Sequence, residues 1–274
     1  MPTFDLISDI HLDFWITTGW HIFNKKQSLQ AFAASLLPER PSAVLIIAGD
    51  LGHRNKQNYK LLKELKNYYS YILLVAGNHD YYMESSSTRY SYAYDSVNRF
   101  TEMKKYAQSL SNVYMLDGDI ITIDGISYGG CGMWYDFQYG IQILNSNYAK
   151  IYKHWLAVSN DAVCTRGITR ATTDMFYAEK SKLLRILPHS DVIITHFSPD
   201  WSHAPLSRKL DLTTSFYYFD GAPYFPFIKN KIWCFGHLHN RMDYSLHGCR
   251  FFNAALGYPQ ENKGIPKKAI QICT

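Results

Sequence analysis

Five short polar strings in this chain carry residue types that hold divalent cations: Ser8-Asp9-Ile10-His11, Gly49-Asp50, Gly77-Asn78-His79-Asp80, Thr195-His196 and Gly236-His237-Leu238-His239. Carboxylate and imidazole donors together suit Mn²⁺, Fe, Zn or Ni better than a thiolate-preferring ion or an all-oxygen Ca²⁺ site. Asp9 and His11 lie two apart, so in an extended segment both side chains point to one side and reach one ion. His237 and His239 share that spacing, although a turned loop would divide them between two ions. Asp50 follows Gly49, whose missing side chain lets backbone and ion approach closely. A carboxylate can bridge two cations, whereas an imidazole normally binds one.

Each string alone has an ordinary explanation. Asp9 suits a helix N-cap or a surface pair, Gly49-Asp50 and Gly77-Asn78 suit turns, and a strand-end His196 is commonly just hydrogen-bonded. Their recurrence at the same kind of place favours a site. His21, His53, His154, His189, His203 and His247 lack that support and receive no ligand role.

That place is the end of an apolar strand. "TFDLI" (3–7), "SAVLIIA" (42–48), "YILLVA" (71–76), "DVIITH" (191–196) and "KIWCFGH" (231–237) read as strands. Helices are expected over 25–37, 55–69 and 91–110. In the last of these Ala93, Val97, Phe100, Ala107 and Leu110 recur near the helical period. From residue 119 onward the pattern turns to hairpins. Asp124-Gly125 suits the positive φ angles of a tight turn, and His247-Gly248 joins "MDYSL" to "CRFFNA" in the same way. Alternation followed by hairpins predicts two mixed β-sheets packed together with helices outside, as one α/β domain over residues 1–274. In open α/β sheets ligands bind beyond the carboxyl ends of the strands, so the five loops should converge.

Composition narrows the partners. Hydrophobic residues make up 47% and charged residues 19%, which supports a sizeable core and excludes a disordered chain. Lys+Arg 28 against Asp+Glu 23 gives a net charge of +5, spread without a basic block. That suits an anionic substrate and disfavours, without excluding, a nucleic-acid groove. Cys131, Cys164, Cys234, Cys249 and Cys273 are odd in number and form no C-x-x-C pair, so a reduced protein is expected, with Cys131 and Cys234 in the core. The apolar runs are strand-sized, well short of a membrane span, and no signal peptide is apparent; the cytoplasm is the expected compartment.

Asp-x-His, Gly-Asp, Gly-Asn-His-Asp, a strand-end His and Gly-His-x-His, in that order over about residues 4 to 257, resemble the calcineurin-like metallophosphoesterase superfamily. "GGCGMWYDF", "SND" at 159–161, "MDY" at 242–244 and "NAALGYP" at 253–259 look like a branch of small stand-alone bacterial and phage phosphoesterases, with Gly-Met-Trp-Tyr-Asp-Phe departing from the expected Gly-Ala/Gly-Thr-Leu-Trp-Thr-Asp-Phe. The resemblance implies a four-layer αββα sandwich and two divalent cations, Mn²⁺ foremost. Asp9, His11, Asp50 and His239 would hold one cation; Asp50, Asn78, His196 and His237 would hold the other, with Asp50 bridging. It implies hydrolysis of a phosphomonoester or phosphodiester by a metal-activated hydroxide, mainly through positioning and electrostatics. His79 would act as general acid or stabilise transition-state charge, and Asp80 would orient it by accepting a hydrogen bond, unless Asp80 simply caps a helix.

Selectivity should lie between the motifs. The stretches 81–90, 134–167 and 200–225 are aromatic and form candidate substrate-facing insertions, or else cover the core. His53 and Arg54, directly after "GDLG", could touch a phosphate. A small-molecule or nucleotide-like phosphoester is the favoured substrate. Against a protein Ser/Thr phosphatase, "LGHRNK" follows Asp50 where Tyr/Phe-Val-Asp-Arg-Gly is expected, and "GNHD" replaces "GNHE". The absence of a dense basic stripe argues against a processive nuclease, and all seven ligand positions being intact argues against a non-catalytic binding protein.

Overall fold

The computed structural model of the chain describes residues 3–16, 28–168 and 173–273. Its elements run in the order β1 (Thr3–Ile7), α1 (Leu12–Trp15), α2 (Leu29–Ser35), β2 (Val44–Ala48), α3 (Asn55–Leu65), β3 (Tyr71–Val75), α4 (Ser86–Ser91) and α5 (Ser96–Gln108). Then come β4 (Val113–Met115), β5 (Asp119–Ile123), β6 (Ile126–Gly130), α6 (Tyr148–Val158), α7 (Asn160–Cys164) and α8 (Thr173–Ile186). The chain ends with β7 (Val192–Ile194), β8 (Ile232–Phe235), β9 (Met242–Leu246), β10 (Cys249–Asn253) and β11 (Ile270–Cys273).

Two mixed sheets result. One has the order β11-β1-β2-β3-β4 and the other β5-β6-β7-β8-β10-β9. Within each, the inner strands are parallel, and the antiparallel strands β11, β5 and β9 lie at edges. Apolar side chains from both sheets, including Phe4, Ile46 and Leu73 from one and Tyr128, Ile194 and Phe252 from the other, form the central core. The opposite faces pack against helices and aromatic loops around Leu61, Phe100, Leu183 and Trp233. Strands covered on both faces become nearly uniformly apolar, which is why β2 is buried at all five positions. The architecture is the expected four-layer sandwich.

Both predicted hairpins form. Asp124 and Gly125 adopt φ of 49° and 81°, and His247 and Gly248 adopt 51° and 74°, the left-handed pair a two-residue turn requires.

The helix expected over 91–110 begins only at Ser96, because a preceding helix, α4, ends at Ser91. Ala93 and Tyr94 take positive φ, and the Asp95 side chain accepts from Val97 N to start a new helix. Capping by Asp95 thus outcompetes continuation. The buried face is Phe100, Met103 and Ala107, while Val97 is exposed. The other two expected helices are shorter, Leu29–Ser35 and Asn55–Leu65; residues 25–27, like His21, lie outside the described residues. In the stretch 81–90 Tyr81, Tyr82 and Met83 are buried, residues 84–87 and Tyr90 are exposed, and Ser85 caps a helix by accepting from Thr88 N. Most rings of 134–167, among them Trp134, Tyr135, Phe137 and Trp155, are core as well.

Candidate metal centre

Because β1, β2, β3, β7 and β8 run parallel within their sheets, the loops leaving their carboxyl ends meet along one edge of the sandwich. The loops brace one another through the backbone: Asp9 N donates to Gly49 O, His11 N to Asp50 O, and His237 N to both oxygens of Asp9 at 2.9 and 3.1 Å. Five of the seven predicted ligands, Asp9, His11, Asp50, His237 and His239, sit at positive φ between 46° and 66°. Left-handed backbone at a non-glycine residue costs of order 1 kcal/mol or more and persists only where the surroundings enforce it. Here it folds the side chains inward.

The structure brings all seven together in two groups. Asp9, His11 and His239 form one, with His11 Nε2 and His239 Nε2 3.0 Å apart and Asp9 Oδ1 3.5 Å from His239 Nε2. Asp50, His196 and His237 form the other, and Asn78 Oδ1 lies 3.1 Å from His196 Nε2 and 3.2 Å from His237 Nδ1. Asp50 Oδ2 stands between the groups, 3.7 Å from His11 Nε2 and 3.4 Å from His196 Nε2. His237 and His239 are therefore divided between the groups, as a turned loop allows.

This donor set fits divalent cations on its own chemistry. Several lone-pair-bearing nitrogens and oxygens converge with few protons to share, and outer partners hold the rings of His196 and His239 in one tautomer. His196 Nδ1 donates to Ala48 O at 2.9 Å, leaving Nε2 as the donor atom for an ion. Glu261 Oε2 lies 2.7 Å from His239 Nδ1 and so leaves its Nε2 free. Burial is the largest single effect and opposes a charge on His196, yet the charge and hydrogen bond of Asp50, the charge of Asp9 and the Ala48 carbonyl together outweigh it and lift the pKa to about 9. Positive charge is welcome there. His11 is shifted the other way, because burial exceeds the pull of Asp50 and Asp9.

Close approach needs glycine. A Cβ on Gly77 would stand 2.1 Å from Asp50 Oδ1, and one on Gly49 would stand 2.3 Å from His196 Nδ1. No side chain fits either place.

Three positioning groups escape a sequence reading. Asp161, inside "SND", accepts from Asn78 Nδ2 at 2.8 Å, Tyr82 OH at 2.5 Å and Tyr135 OH at 2.6 Å, which turns the Asn78 oxygen toward the imidazoles. Glu261 comes from a polar loop with no signal. Arg99, fully buried, donates to His79 O and Gly52 O at 2.7 Å each. Asp161→Asn should weaken binding of one cation about 10–100-fold with the fold kept, since the amide offers one acceptor oxygen to three donors and its NH₂ would face the Asn78 NH₂ or a tyrosine hydroxyl. Isothermal metal titration checks this; unchanged affinity would show that Asp161 only supports packing.

Two expected roles need correction. Asp80 does not accept from His79: its Oδ2 is taken by Asp50 N at 3.0 Å and Gly77 N at 2.8 Å, so it fixes the two loops to each other. Burial and the charge of Asp50 raise its pKa to about 6. The neighbour of His79 Nδ1 is instead His53 Nε2, at 2.7 Å. His53 is therefore buried beside His79 and not offered to a phosphate, and Arg54 is exposed at the start of α3; neither is among the described residues lining the cavity.

A cavity of about 620 Å³ opens over the centre, lined by Asp50, Asn78, His79, His237 and His239 on its floor. Residues 158–161, His203, Arg208, Tyr217 and Tyr258 also line it. Tyr217 packs on His237, and Tyr258 stacks on His11 with centroids 4.6 Å apart.

Residues 2–241 match the family model described as calcineurin-like phosphoesterase. The chain belongs to that family, and is a metal-dependent phosphoester hydrolase. It is similar to "Uncharacterized protein L509" of Acanthamoeba polyphaga mimivirus, 23% identical over 275 residues that cover 94% of this chain and 92% of the viral protein. Its fold is similar to the crystal structure of phosphopantetheinyl hydrolase (PptH) from Mycobacterium tuberculosis, with a TM-score of 0.66 at 20% identity, covering 98% of this chain and 95% of that one. Among the described residues no helix is long and apolar enough to cross a membrane.

Proposed function

We propose that the chain is a dinuclear phosphoesterase, one domain over residues 1–274, acting on a small-molecule or nucleotide-like phosphomonoester or phosphodiester. The observation that carries this is the pair of donor groups, Asp9/His11/His239 and Asp50/His196/His237, with the Asp50 carboxylate between them. Asp9, His11, Asp50 and His239 would hold one cation; Asp50, Asn78, His196 and His237 would hold the other, with Mn²⁺, Fe, Zn and Ni all suited to the mixed N and O donors and Mn²⁺ placed first by the family resemblance. When bound, the pair supplies Lewis-acid stabilisation of phosphoryl charge and a water acidified enough to attack phosphorus. Asp50, Asn78 and the imidazoles fix where the phosphoryl group sits over the cavity floor. His79, at the same floor, gives a proton or a hydrogen bond to the leaving oxygen. The five cysteines are free, which supports a reducing compartment such as the cytoplasm.

The test uses chelator-stripped protein, para-nitrophenyl phosphate and bis-para-nitrophenyl phosphate. Turnover should appear only when Mn²⁺ is restored. The preferred ester then directs a wider panel, in which a phosphopantetheinyl ester belongs because of the similar structure's name. No hydrolysis of any ester with two equivalents of metal bound would overturn the proposal. His79→Ala should keep its metal and lose rate most for poor leaving groups. Equal losses across leaving groups would remove its proton-donor role.

A further inference from the structure

Next to His79 lies a cluster of titratable side chains, Asp13, His53 and Glu84, that the ligand set does not use. The rings of His53 and His79 are within 8° of parallel with centroids 4.9 Å apart, while His53 Nε2 and His79 Nδ1 are 2.7 Å apart. The nitrogens are far closer than the centroids, so the rings meet edge to edge through one N–H···N bond. On the other side of the His53 ring, Nδ1 lies 3.0 Å from Asp13 Oδ2 and 2.9 Å from Glu84 Oε2. Asp13 Oδ1 also accepts from His53 N at 2.8 Å, holding backbone and ring together. Phe14 and Tyr82 flank the ring. Arg99 ties Gly52 O to His79 O, fixing the distance between the two segments that carry the histidines.

Two carboxylates within 3.0 Å of Nδ1 favour a proton on that nitrogen by their charge, although neither stands at good hydrogen-bond geometry to it. Two negative groups on that side also favour the second proton, on Nε2. Burial works against a charged His53, but Asp13 and Glu84 outweigh it and lift its pKa to about 9; Asp13 falls to about 2 because its bonds to His53 outweigh burial.

We propose that His53 is a positioning residue of the reaction: held at Nδ1 by Asp13 and Glu84, it donates Nε2–H to His79 Nδ1 and so fixes the His79 proton on Nε2, the nitrogen left for the cavity. The proposal rests on the reading of His79 as proton donor to the leaving oxygen. When that oxygen takes the Nε2 proton of His79, the Nε2 proton of His53 passes to His79 Nδ1. His53 keeps its Nδ1 proton between the carboxylates, both rings end neutral, and a proton from solvent restores the pair.

The test is a double-mutant cycle on the metal-loaded chain, read with para-nitrophenyl phosphate and an alkyl phosphate. His53→Ala should lower kcat for the alkyl ester about 10–100-fold, leave KM unchanged, and barely affect the para-nitrophenyl ester, whose leaving oxygen needs no proton. In a His79→Ala background it should cost nothing further. His53→Gln, which keeps an N–H for His79, should recover part of the loss. Glu84→Gln, altering a side chain that is partly exposed, should fold normally and lose rate in the same pattern. Equal loss with both esters, additive loss in the His79→Ala background, or an unchanged alkyl rate would overturn the proposal. If His79→Ala itself shows no leaving-group dependence, the proton-donor reading has failed instead. The tautomer is then decided separately by long-range ¹⁵N–¹H spectra of the Zn²⁺-loaded protein. Nδ1 of His79 should be unprotonated in the wild type and become partly protonated in His53→Ala. A protonated Nδ1 in the wild type would end the proposal whatever the rates.

Discussion

Asp50→Asn is expected to lower kcat at least about 10³-fold, beyond the roughly 10²–10³-fold cost of removing one transition-state hydrogen-bond donor from an enzyme. The substitution is isosteric, and the new Oδ1 can still accept from His79 N, as Asp50 does at 2.9 Å. What it removes is the charge on Oδ2, which stands 3.7 Å from His11 Nε2 and 3.4 Å from His196 Nε2. The incoming NH₂ would face one or both of those nitrogens and offer protons where an ion needs lone pairs. Both cations should therefore bind less tightly, with the bridged geometry lost. Stability should change less than turnover, because the imidazoles facing position 50 can give up their protons once the carboxylate charge is gone and the amide keeps hydrogen-bond partners. Metal analysis, thermal unfolding and kcat on one preparation separate these effects. A variant keeping a double-digit percentage of wild-type activity would contradict a shared carboxylate.

The strand ends were legible in the sequence for a simple reason. A strand buried on both faces shows as an uninterrupted apolar run, so the first Asp, His or Asn after it stands out. The seven candidate ligand positions and the two-sheet frame follow from that contrast. The left-handed backbone at Asp9, His11 and Asp50 does not, because no glycine marks those positions and tertiary bracing sets them. The break between α4 and α5 was hidden by a competition: Asp95 has to win a local capping contest against a pattern that continues past it. Positioning groups were harder still. Asp161 meets Asn78 across 83 residues and Glu261 meets His239 across 22; "SND" marks a resemblance without giving Asp161 a task, and Glu261 lies in a pattern no different from an ordinary surface turn. His53 was visible, but with the wrong task assigned. Its proximity to Asp50 along the chain suggested a phosphate contact, whereas the turn after β2 directs its ring toward His79 and Asp13.

Gly77→Ala should come close to Asp50→Asn in its effect on turnover, although it adds one methyl group and removes no functional atom. Gly77 has φ of −100° and ψ of −178°, a conformation alanine adopts freely, so backbone strain plays no part. The obstacle is space: the added Cβ would lie 2.1 Å from Asp50 Oδ1, 2.7 Å from its Cγ and 2.7 Å from its backbone N. Asp50 cannot yield cheaply. Its N donates to Asp80 Oδ2, its O accepts from His11 N, and its Oδ1 accepts from His79 N. Relief must come from rotating the carboxylate or from shifting the loop after β3, and either movement separates Asp50 from Asn78 and His79. Overpacking of a closely packed site costs about 1–3 kcal/mol, which an otherwise folded domain of this size can absorb. The expected result is therefore a folded protein with a lowered melting temperature, weakened metal binding and kcat reduced about 10²-fold or more, since misplacement by 1 Å alone can cost that much. Melting temperature, metal titration and kcat measured together test it. Near wild-type turnover with both cations bound would mean that the Asp50 side chain has room to move and that its placement does not set the rate.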